Sequence, residues 1–199
     1  MKKKVKTILA SASPRRNELL NLIHIYPEVK IPEIEEIPLQ GELPENFVTR
    51  VALEKGLFIA KNQHSSNLII SADTIVLDGD KIIGKPVNKE DAVKMLTILS
   101  GKRHKVITGI SLLFNGKEKA GTSVTEVEFA DISSIEIRNY LNTESYMDKA
   151  GAYAIQGKAS IFVKKIDGCY FNVMGFPLNL FYTMIKELNI ILEDLTGRV

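Results

Sequence analysis

Residues 11–20 read SASPRRNELL, a serine-bearing turn that leads through Pro14 into two adjacent arginines and an amphipathic run. A turn of this kind, leaving an apolar strand and entering a helix, exposes backbone N–H groups beside the positive end of a helix dipole, and phosphate binds there. Arg15 and Arg16 add forked guanidinium donors that match phosphate oxygens, and Ser11 and Ser13 add hydroxyl donors. Two solvated arginines on a first helical turn are the plainer account, but cations there oppose the dipole. The second group that can do chemistry is Asp73, at the end of the apolar run NLIISA. Open α/β sheets place their ligands at such strand ends. A carboxylate there can hold a divalent cation or take a proton from water. Its plainer use is to cap the turn at Thr74.

Lys85 lies in IGKPV, before a proline that favours extended backbone. Lys55 lies in ALEKG, inside a helical pattern. Each can reach a phosphate, although lone lysines are usually solvated. Glu35, Glu36 and Glu42 lie in the proline-rich stretch 25–42. Glutamates in such a stretch ordinarily serve solubility, and beside a cation they become ligands. His24, His64 and His104 form no metal-spaced pair, which makes a zinc site improbable. Cys169, the one cysteine, has no evident partner base and reads as a small core residue. Neither GxxxxGK[ST] nor GxGxxG occurs.

The elements that must position these groups follow from periodicity and punctuation. Val5–Ala10 reads as a first buried strand. Pro14 opens a helix with Ser13 as its cap and Leu19, Leu20, Leu22 and Ile23 as its apolar stripe. Residues 25–42 read as extended, and Pro44 opens a second helix running to about residue 62. Asn67–Ala72 reads as a strand ending at Asp73. Asp78-Gly79 turns a hairpin that returns through Lys81–Ile83. Asn88 caps a third helix that ends near Ser100-Gly101. A long hairpin turns at Asn115-Gly116, and Ser133 with Glu136 forms a capping box for a fourth helix. Residues 148–157 read as a loop. Strands are expected near 160–166 and 169–173, and Pro177 opens a last helix reaching about Ile191. The alternation predicts an α/β (α+β) fold: one domain over 1–199, or two merged lobes, around a mixed, twisted sheet flanked by helices.

The totals set outer bounds. The chain has 199 residues, 45% hydrophobic and 25% charged, as in ordinary globular proteins. A net charge of +2 argues against a coat for nucleic acid. No apolar run approaches the ~20 residues that span a bilayer. Lysines followed by apolar residues at the N-terminus mimic a signal peptide, but Lys6 and Thr7 interrupt the apolar part, so a cytoplasmic protein is expected.

Taken in order, LASASPRRNELL, SADTIV, GKP, LSGKRHKVITGI, DKAGAYAIQG and G-x-Y-x-N-V-x-G-x-P-L resemble the Maf family from Leu9 to about Leu180. Each motif alone is weak; six at these spacings are specific. The resemblance implies an ITPase-like fold with a substrate cleft between lobes. It implies a nucleoside triphosphate pyrophosphatase that cleaves between the α and β phosphates with a divalent cation, Mg2+ or Mn2+. It places the proton acceptor at Asp73, a residue of substrate choice at Arg15, and phosphate-contacting lysines at Lys55 and Lys85. It puts the acidic residue that joins Asp73 at the metal at Glu36, with Glu35 and Glu42 as rivals. Arg15, Thr74 and Gln156 together resemble the subfamily acting on dTTP and UTP, with modified pyrimidine nucleotides as further substrates. A glutamine amide can pair with a pyrimidine edge.

The alternatives are the same chemistry on 7-methyl-GTP or inosine triphosphate, or a regulator of septum formation acting through a partner or nucleic acid. The expected partner is the nucleotide, with no stable nucleic acid and no membrane; a homodimer rests on the resemblance alone. Phe176 stands where the family's leucine precedes proline, a change in the core or pocket wall.

Overall fold

The computed structural model describes residues 4–196. Lys2 and Lys3 of the N-terminal lysine run lie outside the described residues. The chain divides into two compact units. The first comprises Met1–Asp73, Thr108–Ser123 and Gly175–Val199; the second comprises Thr74–Ile107 and Val124–Met174. Its strands are β1 (Thr7–Ala10), β2 (Glu28–Lys30), β3 (Leu68–Asp78), β4 (Lys81–Ile83), β5 (Arg103–Phe114), β6 (Lys117–Phe129) and β7 (Val163–Asp167). They follow the order β2-β1-β3-β5-β6-β7, with β4 beside β3. The sheet is mixed: β1 pairs in parallel with β2 and β3, whereas β3/β4 and β6/β7 are antiparallel. The expected α/β class with a mixed sheet and flanking helices is therefore observed.

In the first unit, β1 pairs Ile8 with Ile69, Leu9 with Ile70 and Ala10 with Ser71. Each residue of β1 is buried, as expected of a parallel strand covered on both faces. Helix α1 (Pro14–Leu22) begins at the predicted proline, but Ser13 stands at the cap position without a side-chain capping bond. Its inner face is Leu19 and Leu20; Leu22, expected in the stripe, is 60% exposed, and Ile25 beyond the helix is buried instead.

Helix α2 (Pro44–Ala60) buries Phe47, Val48, Val51, Ala52, Lys55, Gly56 and Ile59. Its seat on the sheet is set by backbone approach. A Cβ on Gly109 of β5 would fall 2.4 Å from the Val48 carbonyl oxygen, and one on Gly56 would fall 2.9 Å from Ser71 Oγ. Ser71 Oγ donates to the Ala52 carbonyl at 2.7 Å. Side chains alternate along a strand, so Ile69, Ser71 and Asp73 share one face of β3. That face meets α2, where Ile69 clusters with Ile59.

Asp73 does not end β3. The strand continues through Thr74 to Asp78 because Ile75, Val76 and Leu77 are buried and its end pairs with β4, Val76 opposite Ile83 and Leu77 opposite Ile82. The last segment departs from expectation too. Helix α6 (Leu178–Glu187) stops before Asn189, whose φ of 58° breaks it. A short α7 (Leu192–Leu195) follows. Phe176 is fully buried and its ring lies 5.5 Å from that of Phe181, which makes it a core residue.

In the second unit, Asn88 accepts from the Asp91 amide at the start of α3 (Lys89–Leu99). The Ser133/Glu136 capping box opens α4 (Ser134–Thr143). The expected strand at 160–166 is 3-10 turn over Gly157–Phe162 and β7 beyond it. The expected strand at 169–173 is a short helix, α5 (Tyr170–Val173). Gly168, at φ 127°, turns the chain after β7. Asn172 then docks with its Nδ2 donating to the Val106 carbonyl and to Thr125 Oγ1, each at 2.9 Å. Cys169, expected in the core, is half-buried. An aromatic cluster forms this unit's interior. His104 packs edge-on against Phe129 and Tyr153 at 4.8 and 5.5 Å, and its Nε2 is 2.8 Å from the Tyr153 hydroxyl.

Candidate active site

Three side chains from distant positions meet in the first unit. Lys55 Nζ lies 2.7 Å from Asp73 Oδ1 and 2.7 Å from Glu36 Oε1. The ammonium and the Asp73 carboxylate are both buried, at 7% and 8% side-chain exposure, while Glu36 keeps 36%. Local structure explains the meeting. Asp73 faces α2 because its strand position has the parity of Ser71. Lys55 faces β3 because Gly56 beside it lets the helix approach closely. Glu36 arrives on the extended segment between β2 and α2. Two carboxylates against one ammonium leave a net negative charge, and buried carboxylates demand such pairing.

Arg16 lies in the same field. Its Nε donates to the Gly175 carbonyl at 2.9 Å, and Nη1 donates to the Ala72 carbonyl at 2.8 Å and to Ser11 Oγ at 2.9 Å. Burial lowers its pKa; Asp73 and Glu36 push the other way, and the neighbouring Arg15 adds to the lowering. A guanidinium remains charged throughout the working pH range. Arg16 thus ties the β1–α1 turn to the strand residue next to Asp73. Ser11 is likewise turned inward, and its Oγ also accepts from the Ser13 amide at 3.2 Å. The local sequence pattern treats Arg15 and Arg16 alike, and only the family resemblance singles out Arg15. The structure separates them: Arg16 is buried with bonds to protein carbonyls, and Arg15, in the same helical turn, is half-buried.

The three glutamates separate as well. Glu42 is bound bidentately by Arg50, Nε to Oε1 at 2.7 Å and Nη2 to Oε2 at 2.8 Å, and its Oε2 also accepts from the Leu39 amide at 3.0 Å. Those bonds, the Arg50 pair first, hold its carboxyl down at about 2. Glu35 is exposed. Glu36 alone of the three contacts Lys55 among the ion pairs of the described residues. Arg50 escaped sequence reasoning. Its i,i+4 pair with Glu54 was legible, but its reach back to Glu42 belongs to the fold.

Thr74, Lys85 and Gln156 belong to the second unit. Thr74 follows Asp73 in β3 and is half-buried, whereas Lys85 and Gln156 are exposed. Gln156 immediately precedes the 3-10 turn that begins at Gly157. Among the described residues, no group of three or more His, Cys, Asp or Glu side chains converges as a metal site. Asp73 and Glu36 make a pair, and Mg2+ is commonly held by one or two carboxylates together with substrate phosphates. The donor set therefore fits a hard divalent cation. No described helix is long and apolar enough to cross a membrane.

Comparison with known proteins agrees with these assignments of fold and relatedness. A curated protein of Syntrophomonas wolfei named dTTP/UTP pyrophosphatase is 45% identical over 181 residues, covering 90% of this chain and 95% of that protein. Proteins of the same name from Clostridium botulinum and Bacillus anthracis are each 42% identical, covering 92% and 93% of this chain and 97% and 96% of their own lengths. Among solved structures, the Staphylococcus aureus Ham1 protein matches with a TM-score of 0.50 at 16% identity, over 92% of this chain and 99% of that one, a likeness of fold. The family model described as Maf-like protein matches residues 6–188, and the chain belongs to that family.

Proposed function

We propose that this protein hydrolyses the pyrimidine nucleoside triphosphates dTTP and UTP to the monophosphate and pyrophosphate, acting in the cytoplasm as one catalytic domain. Extensive relatedness to proteins named for that activity supports the substrate class. The observation that carries the chemistry is the buried Asp73 carboxylate, oriented through Oδ1 by Lys55 at 2.7 Å.

Anhydride cleavage needs a water stripped of its proton and a polyanion whose charge is neutralised. Asp73 accepts the proton, with Lys55 fixing the rotamer from which it does so. Arg15 and Lys85 take phosphate oxygens, aided by Ser11 and Ser13 hydroxyls. Arg16 contributes its charge to the same field while it holds the turn against the Ala72 carbonyl. Asp73 and Glu36 would hold a divalent cation, Mg2+ or Mn2+, which when bound supplies further neutralisation of the phosphoryl oxygens. Gln156 offers a donor and an acceptor to the pyrimidine edge, and Thr74 contacts the sugar or base. A wrong base leaves polar groups unpaired, which costs about 1–3 kcal/mol per lost partner.

The test is a panel of nucleoside triphosphates, with pyrophosphate release read through inorganic pyrophosphatase, with and without Mg2+. dTTP and UTP are expected to exceed the purine nucleotides in kcat/KM by about 10-fold or more. Equal turnover of all bases, or release of orthophosphate without the coupling enzyme, would refute the reading.

A further inference from the structure

The segment that carries Glu36 is fastened to α2 at two places. Lys55 holds the Glu36 carboxylate. Five residues earlier on the same helix, Arg50 Nη2 donates to the Ile37 carbonyl at 2.9 Å, one residue beyond Glu36. The same guanidinium grips Glu42 with two bonds, and Glu42 in turn accepts from the Leu39 amide while its own amide donates to the Leu39 carbonyl at 3.0 Å. Arg50 is itself braced: Nη1 donates to both carboxylate oxygens of Glu54 at 3.1 and 3.2 Å, and its guanidinium lies 5.6 Å from the Phe47 ring centre. Residues 37, 39 and 42 are thereby closed into one hydrogen-bonded loop around a planar donor fork. Without it, Glu36 would sit on an exposed extended segment that bears Ile37, Leu39 and Leu43 at more than 60% exposure and has little core of its own.

We propose that Arg50 and Glu42 are positioning residues that hold Glu36 where it binds the divalent cation of the reaction. This inference rests on the functional reading above. The Lys55 contact alone cannot serve, because a Glu36 that turns to a cation gives up that ammonium. The backbone bond to Ile37 survives that exchange and keeps the carboxylate within reach. Partners of this kind, one step removed from a ligand, typically govern ~10–100-fold in metal affinity. A lysine at position 50 keeps the charge but loses the fork, so it restores only part of the effect.

The experiment measures Mn2+ binding by electron paramagnetic resonance in the presence of a non-hydrolysable α,β-methylene analogue of UTP, alongside pyrophosphate release. Wild type, Arg50→Met, Arg50→Lys, Glu42→Gln and Glu36→Gln are compared, and each thermal midpoint is recorded. Arg50→Met is expected to weaken Mn2+ by ~10-fold, with Arg50→Lys intermediate and Glu36→Gln at least as weak as Arg50→Met. Excess Mn2+ should recover turnover in Arg50→Met and not in an Asp73→Asn control. If Arg50→Met fails to fold, Glu42→Gln decides, with the same direction and a smaller effect. Wild-type Mn2+ affinity in the Arg50 and Glu42 variants, beside a weakened Glu36→Gln, overturns the inference and leaves the proposed function standing. A wild-type protein that releases no pyrophosphate defeats the functional reading and this inference with it.

Discussion

Replacing Lys55 with methionine keeps the volume of the side chain and removes the ammonium that serves two carboxylates. Asp73 is then a carboxylate of 8% exposure without its 2.7 Å partner, whereas Glu36, at 36%, can turn to water. Breaking a buried ion pair by removing one member costs about 3–5 kcal/mol. The partial exposure of Glu36 argues for the lower end, about 3 kcal/mol. For a chain of this size that lowers the thermal midpoint by roughly 6–12 °C. Asp73→Asn should cost less, because Lys55 keeps Glu36. The double variant should then cost less than the sum of the two, with a coupling of about 2 kcal/mol. Urea titrations of the four proteins supply the numbers. A Lys55→Met loss under about 1 kcal/mol, or strict additivity, would refute the claim that this ammonium is what makes a buried Asp73 tolerable.

Gly109→Ala puts a methyl group 2.4 Å from the Val48 carbonyl oxygen, a backbone atom that cannot rotate aside. It should cost about 3 kcal/mol in urea unfolding, whereas Gly84→Ala, with open space around it, should stay within about 0.5 kcal/mol. His104 is buried among aromatic rings with Nδ1 lacking a hydrogen-bond partner, and burial lowers its pKa to about 4 against a smaller opposing pull from Asp78. The unfolded chain, with an imidazole near 6.5, binds the proton first. Stability is therefore full above pH ~6.5 and falls as pH drops toward 4, by about 2–3 kcal/mol at pH 4.5. Urea unfolding at pH 7 and 4.5 should show this loss in wild type and a reduced one in His104→Gln. Gln156→Ala should lower kcat/KM for UTP and dTTP by about 10-fold in the coupled assay; unchanged selectivity would remove Gln156 from base recognition.

Much of this molecule was legible before folding. Prolines at 14 and 44 opened helices where expected, Asn88 and the Ser133/Glu136 box capped theirs, and the Asn115-Gly116 hairpin formed between β5 and β6. Local chemistry suffices for such features. What was misread depended on distant partners. Asp73 looked like a strand end because an acid inside an apolar strand is unfavourable alone; Lys55, 18 residues upstream, supplies the compensation. Residues 170–173 have strand-like composition, yet Asn172 docks on Val106 and Thr125 and the turn at Gly168 favours a helical turn. The family resemblance put Glu36 ahead of Glu35 and Glu42 and singled out Arg15, but the local pattern could not settle the choice of glutamate, nor tell the half-buried Arg15 from the clamped Arg16. Those distinctions arise from which carbonyl or ammonium the fold brings near.

The most direct test is product analysis of UTP hydrolysis by phosphorus NMR in wild type and Asp73→Asn. The wild type is expected to yield UMP and pyrophosphate, and Asp73→Asn, still folded by circular dichroism, should lose turnover by about 100-fold or more. Formation of UDP and orthophosphate, or a folded Asp73→Asn as fast as wild type, would contradict the account.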